Sequence, residues 1–185
     1  MKRVLICLLF LAAGFAVQAQ ESEKIHEVGL YFQNVDQFGL RYKVGHDDIR
    51  YRFTTTALSF NKSDYPDSQE QNSNSHWGVQ LGAGLEKHKP LADNFGFYYG
   101  PEINLLYTRD KNKTEVPANE TIQNQHGIGL GAIIGFRYQL AETLSLSAEF
   151  VPNIYYQKTT GSSESDYWNF YLNTNQVGLT LAYQF

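Results

Sequence analysis

Cysteine is almost missing from this 185-residue chain, whose only thiol is Cys7. One cysteine excludes a disulfide framework and a thiolate metal centre. Cys7 is also a poor lipidation site, because bulky Ile6 precedes it and the apolar stretch ahead is short. An excess of basic charge is missing too. Lys and Arg number 15 against 19 Asp and Glu, and without Lys2 and Arg3 the balance is 13 against 19, a net charge of −6. That sign is wrong for displacing counterions from a nucleic acid, so no nucleic-acid partner is expected. Helical periodicity is absent over any useful length after residue 20, and no apolar run reaches the ~20 residues of a spanning helix.

The N-terminus does carry a message. Met1-Lys2-Arg3 is followed by an apolar run from Val4 to Val17 and then by Gln18-Ala19-Gln20. Positive charge, a short hydrophobic stretch and a small residue at the cut are the three parts of a secretory signal. Cleavage after Ala19 is expected, leaving residues 20–185 as one exported domain.

What recurs in that domain is alternation with period two, the mark of a strand with two unlike faces. Ile128, Leu130, Ala132, Ile134, Phe136, Tyr138 and Leu140 interleave with Gly129, Gly131, Ile133, Gly135, Arg137 and Gln139. Eight such segments run from Val28 to Phe32, Phe38 to Val44, Ile49 to Ala57, Trp77 to Leu85, Phe95 to Tyr107, Ile128 to Leu140, Leu144 to Tyr156 and Val177 to Phe185. Together they place 43 residues on an apolar face without a charge, where Thr55 is the one polar exception. The interleaved face has 35 positions, of which 11 are glycine and seven are charged.

Size decides which face is inside. An eight-stranded barrel has an interior that side chains must just fill, and 43 bulky residues would not fit there. Glycines and a few long polar chains would. The bulky face therefore points outward, and so large an apolar exterior is tolerable only in lipid. In lipid the backbone must satisfy its own hydrogen bonds, which a closed ladder of strands achieves, and the segment lengths suit tilted spanning strands. Aromatics gather towards both ends as interfacial girdles do. Tyr42, Tyr51, Phe53, Phe95, Phe97, Phe136, Tyr138, Tyr183 and Phe185 belong to one, and Phe32, Trp77, Tyr107 and Tyr156 to the other.

Connection lengths give an independent indication. Gly45–Asp48, Glu86–Asn94 and Ala141–Thr143 read as turns on one side, whereas Ala57–His76 and Thr108–His126 read as long polar loops on the other. Short turns on one side and long loops opposite is the outer-membrane arrangement. Only the loop around Val35-Asp36-Gln37 is short on the long side. Pro101 and Pro152 interrupt apolar runs, and bulges are expected at Gly100-Pro101 and Val151-Pro152. Trp168, Phe170 and Leu172 fall on even numbers while the last strand uses odd ones. Either a bulge near residues 173–175 restores the register or this part is a hairpin extension above the membrane.

With these features the chain resembles the small eight-stranded outer-membrane barrels of the OmpA/OmpX type, from about Ile25 to Phe185. Its terminal Leu179-Thr180-Leu181-Ala182-Tyr183-Gln184-Phe185 is similar to the aromatic-ended last strand that the barrel assembly machinery recognises in that family. The resemblance implies an all-β, antiparallel up-and-down transmembrane barrel, with outer-membrane lipid and lipopolysaccharide around it and the assembly machinery as a partner. A monomer with both termini periplasmic is expected. Members of the family serve as anchors, adhesins or resistance factors, so it locates the protein better than it defines a role.

By the same parity Glu27, Arg41, Lys43, Arg50, Arg52, Glu86, Glu102, Arg137 and Glu149 point into the lumen, five cations with four carboxylates. An ion-pair network that plugs the barrel is the expectation, since buried charges persist when paired; a narrow charge-lined channel is the alternative. In the network, replacing Arg137 by Ala should destabilise the barrel by leaving a carboxylate unpaired. The five histidines are scattered, with His46-Asp47-Asp48 the nearest approach to a metal set, and no metal or cofactor is expected. Ser145, Ser147 and Glu149 share a face, yet no histidine is predictably close enough to serve a serine as base. A lipid-modifying enzyme is thus a minor reading and a soluble exported barrel another. The long loops, Ser63–Ser75 with Asp64, Asp67 and Glu70 among them, are the expected seat of any extracellular ligand.

Overall fold

A computed structural model describes residues 24–34, 37–65, 72–115, 118–162, 164–171 and 177–185. The expected signal segment and the central residues of several hairpins lie outside the described residues. Ten strands are present: β1 (Ile25–Asn34), β2 (Gln37–Gly45), β3 (Ile49–Tyr65), β4 (Asn72–Ala92), β5 (Phe95–Glu115), β6 (Ala118–Ala141), β7 (Leu144–Phe150), β8 (Asn153–Gly161), β9 (Ser165–Tyr171) and β10 (Val177–Gln184). They compose eight staves. β7 and β8 both pair with β6, one above the other, and β10 and β9 continue the ring beside them. All pairings are antiparallel, and β5 with β6 and β1 with β10 close the circle. The architecture is an eight-stranded, antiparallel, up-and-down transmembrane barrel.

The alternation sorts outside from inside as size requires. Among the described residues 31 large hydrophobic side chains are exposed, whereas six hydrophobic residues are buried. The interior is instead made of Arg, Lys, Glu, Thr, Ser, Asn and Gln with three tyrosines. On the outer wall near the short turns Phe136 stacks on Phe95 at 5.5 Å and meets Phe97 in a tilted pair at 5.3 Å. Trp77 with Tyr107 and Tyr156 with Trp168, each at 5.2 Å, form aromatic pairs towards the other end.

Several sequence expectations need correction. Glu86–Asn94 is not an open nine-residue loop, because β4 runs on to Ala92 and β5 begins at Phe95, leaving Asp93-Asn94 as the turn. Most of the two long loops is strand as well, with β3–β4 laddered up to Tyr65↔Asn72 and β5–β6 up to Glu115↔Ala118. β2, by contrast, reaches no higher than Phe38↔Ala57 along β3. The sheet from β3 round to β9 therefore stands above the β1–β2 hairpin. Polar residues pair as well as apolar ones through the backbone, so an apolar pattern cannot detect this extension.

The expected bulge at Gly100-Pro101 is absent. Its register holds from Gly84↔Glu102 to Lys87↔Tyr99, with the pairs between them lost. Gly100 brings its strand so near β4 that a Cβ there would lie 1.8 Å from the Leu85 carbonyl oxygen. At Val151-Pro152 the strand breaks without a change of register to β6: Phe150 faces Ile134 and Asn153 faces Gly131, and Ala132 N–H still donates to Pro152 O at 3.1 Å. The phase change in the last stave is real. Val177 faces Phe150, a register that would put Tyr171 opposite Tyr156, yet Tyr171 faces Asn153. The offset of three residues is odd, so it exchanges the two faces. The segment expected to absorb it, 173–175, lies outside the described residues.

Candidate functional site: a charged barrel interior

Eight of the nine charged residues assigned to the lumen are buried, and Arg137 at the short-turn end is nearly so. Each arrives there by parity on its own strand. Glu27 comes from β1, Arg41 and Lys43 from β2, Arg50 and Arg52 from β3, Glu86 from β4, Glu102 from β5, Arg137 from β6 and Glu149 from β7. Arg52 is the hub. Its guanidinium donates to Glu102 (2.5 Å), Glu149 (2.8 Å) and Glu86 (3.2 Å). Arg41 reaches the other Glu149 oxygen at 2.6 Å and donates to Thr180 (2.8 Å) and Thr54 (3.2 Å). Lys43 lies 3.0 Å from Glu86 and 3.6 Å from Glu27.

The second cluster is nearer the short turns. Glu27 is shared by Arg50 at 3.2 Å, Arg137 at 3.3 Å and Lys43. Arg137 also donates to Gln184 at 2.7 Å. This redundancy corrects the expectation for Arg137, since its loss would leave Glu27 with two other cations. Glu102 is the carboxylate with one cation, Arg52, among the described residues.

Sequence reasoning overlooked the lumen tyrosines. Tyr31 lies beneath the Arg41 guanidinium at 4.1 Å, Tyr98 beneath the Lys43 ammonium at 4.8 Å, and Tyr98 donates its hydroxyl to Glu149 at 3.0 Å. Glycines make room for these rings. A Cβ at Gly135 would fall 2.4 Å from the Tyr98 ring, at Gly129 2.6 Å from Tyr155, and at Gly178 2.2 Å from Tyr31. The signal was present, because Tyr98 faces Gly135 and Tyr155 faces Gly129 across the ladder, but it becomes visible only with the register known.

Above the network a cavity of about 20 Å³ lies among Tyr31, Arg41, Arg52, Glu102 and Asn104, room for roughly one water. At the short-turn end an open vestibule of about 410 Å³ is lined by Arg50, His88 and Arg137 among others. His88 Nε2 meets Glu86 at 2.9 Å. The other candidate features lie apart from this network. His46, Asp47 and Asp48 are exposed on the β2–β3 turn, and among the described residues no three metal-type side chains converge. Ser145 and Ser147 are buried beside Glu149, whose two oxygens are occupied by Arg41, Arg52 and Tyr98.

The terminal residues Tyr183 and Phe185 project from the outer wall at the seam. Phe185 exchanges both backbone hydrogen bonds with His26 (2.8 and 3.1 Å), stacks on that ring at 5.8 Å, and follows Tyr183, which faces Val28. His26 Nδ1 in turn meets the Tyr42 hydroxyl at 2.7 Å.

No protein-family model matches the chain, and no curated protein matches it. Among solved structures it is similar to Neisserial surface protein A, with 14% identity over 87% of this chain and 91% of that one, at a TM-score of 0.41. The N-terminal β-barrel domain of Pseudomonas aeruginosa OprF is 13% identical over 90% of this chain and all of that one, with a TM-score of 0.39. A major outer membrane protein of Thermus thermophilus is 17% identical over 89% of this chain and all of that one, with a TM-score of 0.42.

Proposed function

We propose that the chain is an integral outer-membrane protein with a closed, charge-plugged lumen and no catalytic role, which presents the sheet above its barrel to an extracellular ligand. The observation that carries this reading is the inversion of polarity: apolar bulk covers the wall while five cations and four carboxylates crowd the axis. Water would not tolerate that exterior, and bilayer lipid would not tolerate those charges unless they were enclosed and paired. The expected leader and the even number of staves support an orientation with both termini periplasmic and the long hairpins outside.

The plug is supported by the fit of the network, which leaves a void of about one water above Arg52. A non-catalytic role is supported by the engagement of Glu149, the acid that shares a strand face with the two lumen serines. Cell fractionation with heat-modifiable gel migration tests insertion and closure together, and a chain found in the soluble fraction refutes the reading. Planar-bilayer recordings of the refolded barrel should be silent; steady unitary conductance would favour the channel instead. Deletion of residues 63–75 should abolish binding to a target surface while the barrel still shifts on heating, and unchanged binding would remove the adhesive role.

A further inference from the structure

Above the apolar band the outward face of the sheet changes chemistry within two rows. The ladder aligns Leu105, Ile128 and Tyr156 in one row, Tyr107, His126 and Lys158 in the next, and Trp77, Arg109 and Asn124 in the one beyond. From Lys87 near the short turns up to these rows, the outward positions of the described spanning segments hold no charged side chain. Arg109 and Lys158 are thus the first cations met on leaving the bilayer on this side. Arg109 stands beside Trp77 and one row above Tyr107, and Lys158 one row above Tyr156 and Trp168, the aromatic pairs that mark an interface.

Neither cation is neutralised by another of the described residues. Asp166 faces Lys158 in register but accepts the Tyr156 hydroxyl at 3.1 Å, and no ion pair forms. Asp110 is held by His76. Glu120, farther up, takes Lys111 at 2.8 Å and Lys113 at 3.6 Å. Among the described residues, Arg109 and Lys158 have no carboxylate within ion-pairing distance. His126 lies between their strands with its ring 5.1 Å from Tyr107.

We infer that Arg109, His126 and Lys158 form a seat for the phosphorylated headgroup of lipopolysaccharide, with Trp77, Tyr107, Tyr156 and Trp168 packed at the boundary of its acyl chains. Anionic headgroups draw basic side chains that adjoin a bilayer, and these aromatic rows fix where the headgroups lie. The two strong cations sit two strands and one row apart, roughly 12 Å between backbones, a span suited to a sugar core with a phosphate at either end rather than to a single phosphodiester. Asn124 and Thr160, on the same outward face, offer hydrogen bonds to sugar hydroxyls. This site rests on the outer-membrane reading proposed above, which places this leaflet outside.

The test is native mass spectrometry of the full barrel incubated in detergent with bisphosphorylated lipopolysaccharide, its enzymatically dephosphorylated form, or phosphatidylglycerol. Wild-type protein should retain the bisphosphorylated form, and the R109Q/K158Q variant should retain roughly thirtyfold less, about fivefold for each cation. Both substitutions lie outside the lumen network, and the two lipopolysaccharide forms compared on wild type need no variant at all. Equal retention with and without phosphates overturns the site, as does an unchanged variant or phosphatidylglycerol held as firmly as lipopolysaccharide. A chain without a heat-modifiable band overturns the membrane reading and the site with it, whereas a folded barrel indifferent to phosphate overturns the site alone.

Discussion

Replacing Arg52 by Met removes the hub of the lumen, and the contacts of each carboxylate say where the cost falls. Glu149 would keep Arg41 and the Tyr98 hydroxyl, and Glu86 would keep Lys43 and His88. Glu102 would keep no cation among the described residues. Leaving one buried carboxylate without its partner costs about 3–5 kcal/mol, so the R52M barrel should be less stable by that amount. Glu102→Gln alone should cost less, about 1–2 kcal/mol, because Arg52 retains two carboxylates and only a charge-assisted hydrogen bond weakens. If Glu102 carries the penalty, the double variant R52M/E102Q should recover about 2 kcal/mol relative to the sum of the single changes. Reversible urea unfolding of the barrel in lipid vesicles, followed by tryptophan fluorescence, measures all three. An R52M loss below about 1 kcal/mol, or additive single effects, would refute this account of the network.

Other outcomes follow from the same contacts. Gly135→Ala would force the Tyr98 ring to move and should cost about 1–3 kcal/mol in that unfolding assay, a loss that Tyr98→Ser relieves. Tyr183→Ala with Phe185→Ala should leave refolding in detergent nearly unchanged and reduce the amount of barrel inserted in cells; equal insertion would remove these residues from the assembly signal. Glu120, on the hairpin beyond the membrane, is held below the usual carboxylate range by its hydrogen bond from Lys111 and by the nearby lysine charges. Its contribution is therefore present above the ordinary carboxylate pKa and fades as pH falls through the lowered value. A carboxyl titration by NMR with its midpoint at or above that of a model peptide would contradict the pairing.

The alternation of bulk and glycine determines most of this fold on its own. A period of two is local, so each strand declares its two faces separately. The volume of the bulky set then leaves one direction in which it can point. The same reasoning reaches the burial of eight of the nine charged residues assigned to the lumen. It does not reach hairpin height, because Asn74, Asn112 and Thr121 pair through their backbones without an apolar signature.

Which carboxylate each cation meets was also beyond the sequence. Arg52 and Glu102 are 50 residues apart, and Arg41 and Glu149 are 108 apart. Their meeting depends on the register of every ladder between them around the ring. The sequence alone thus set what faces lipid and what faces the axis, since that is a property of single strands. Closure of the ring decided the partners, placing Tyr98 over Gly135, three cations around Glu27 and one on Glu102, because side chains from different strands meet only at the registers the closed barrel imposes.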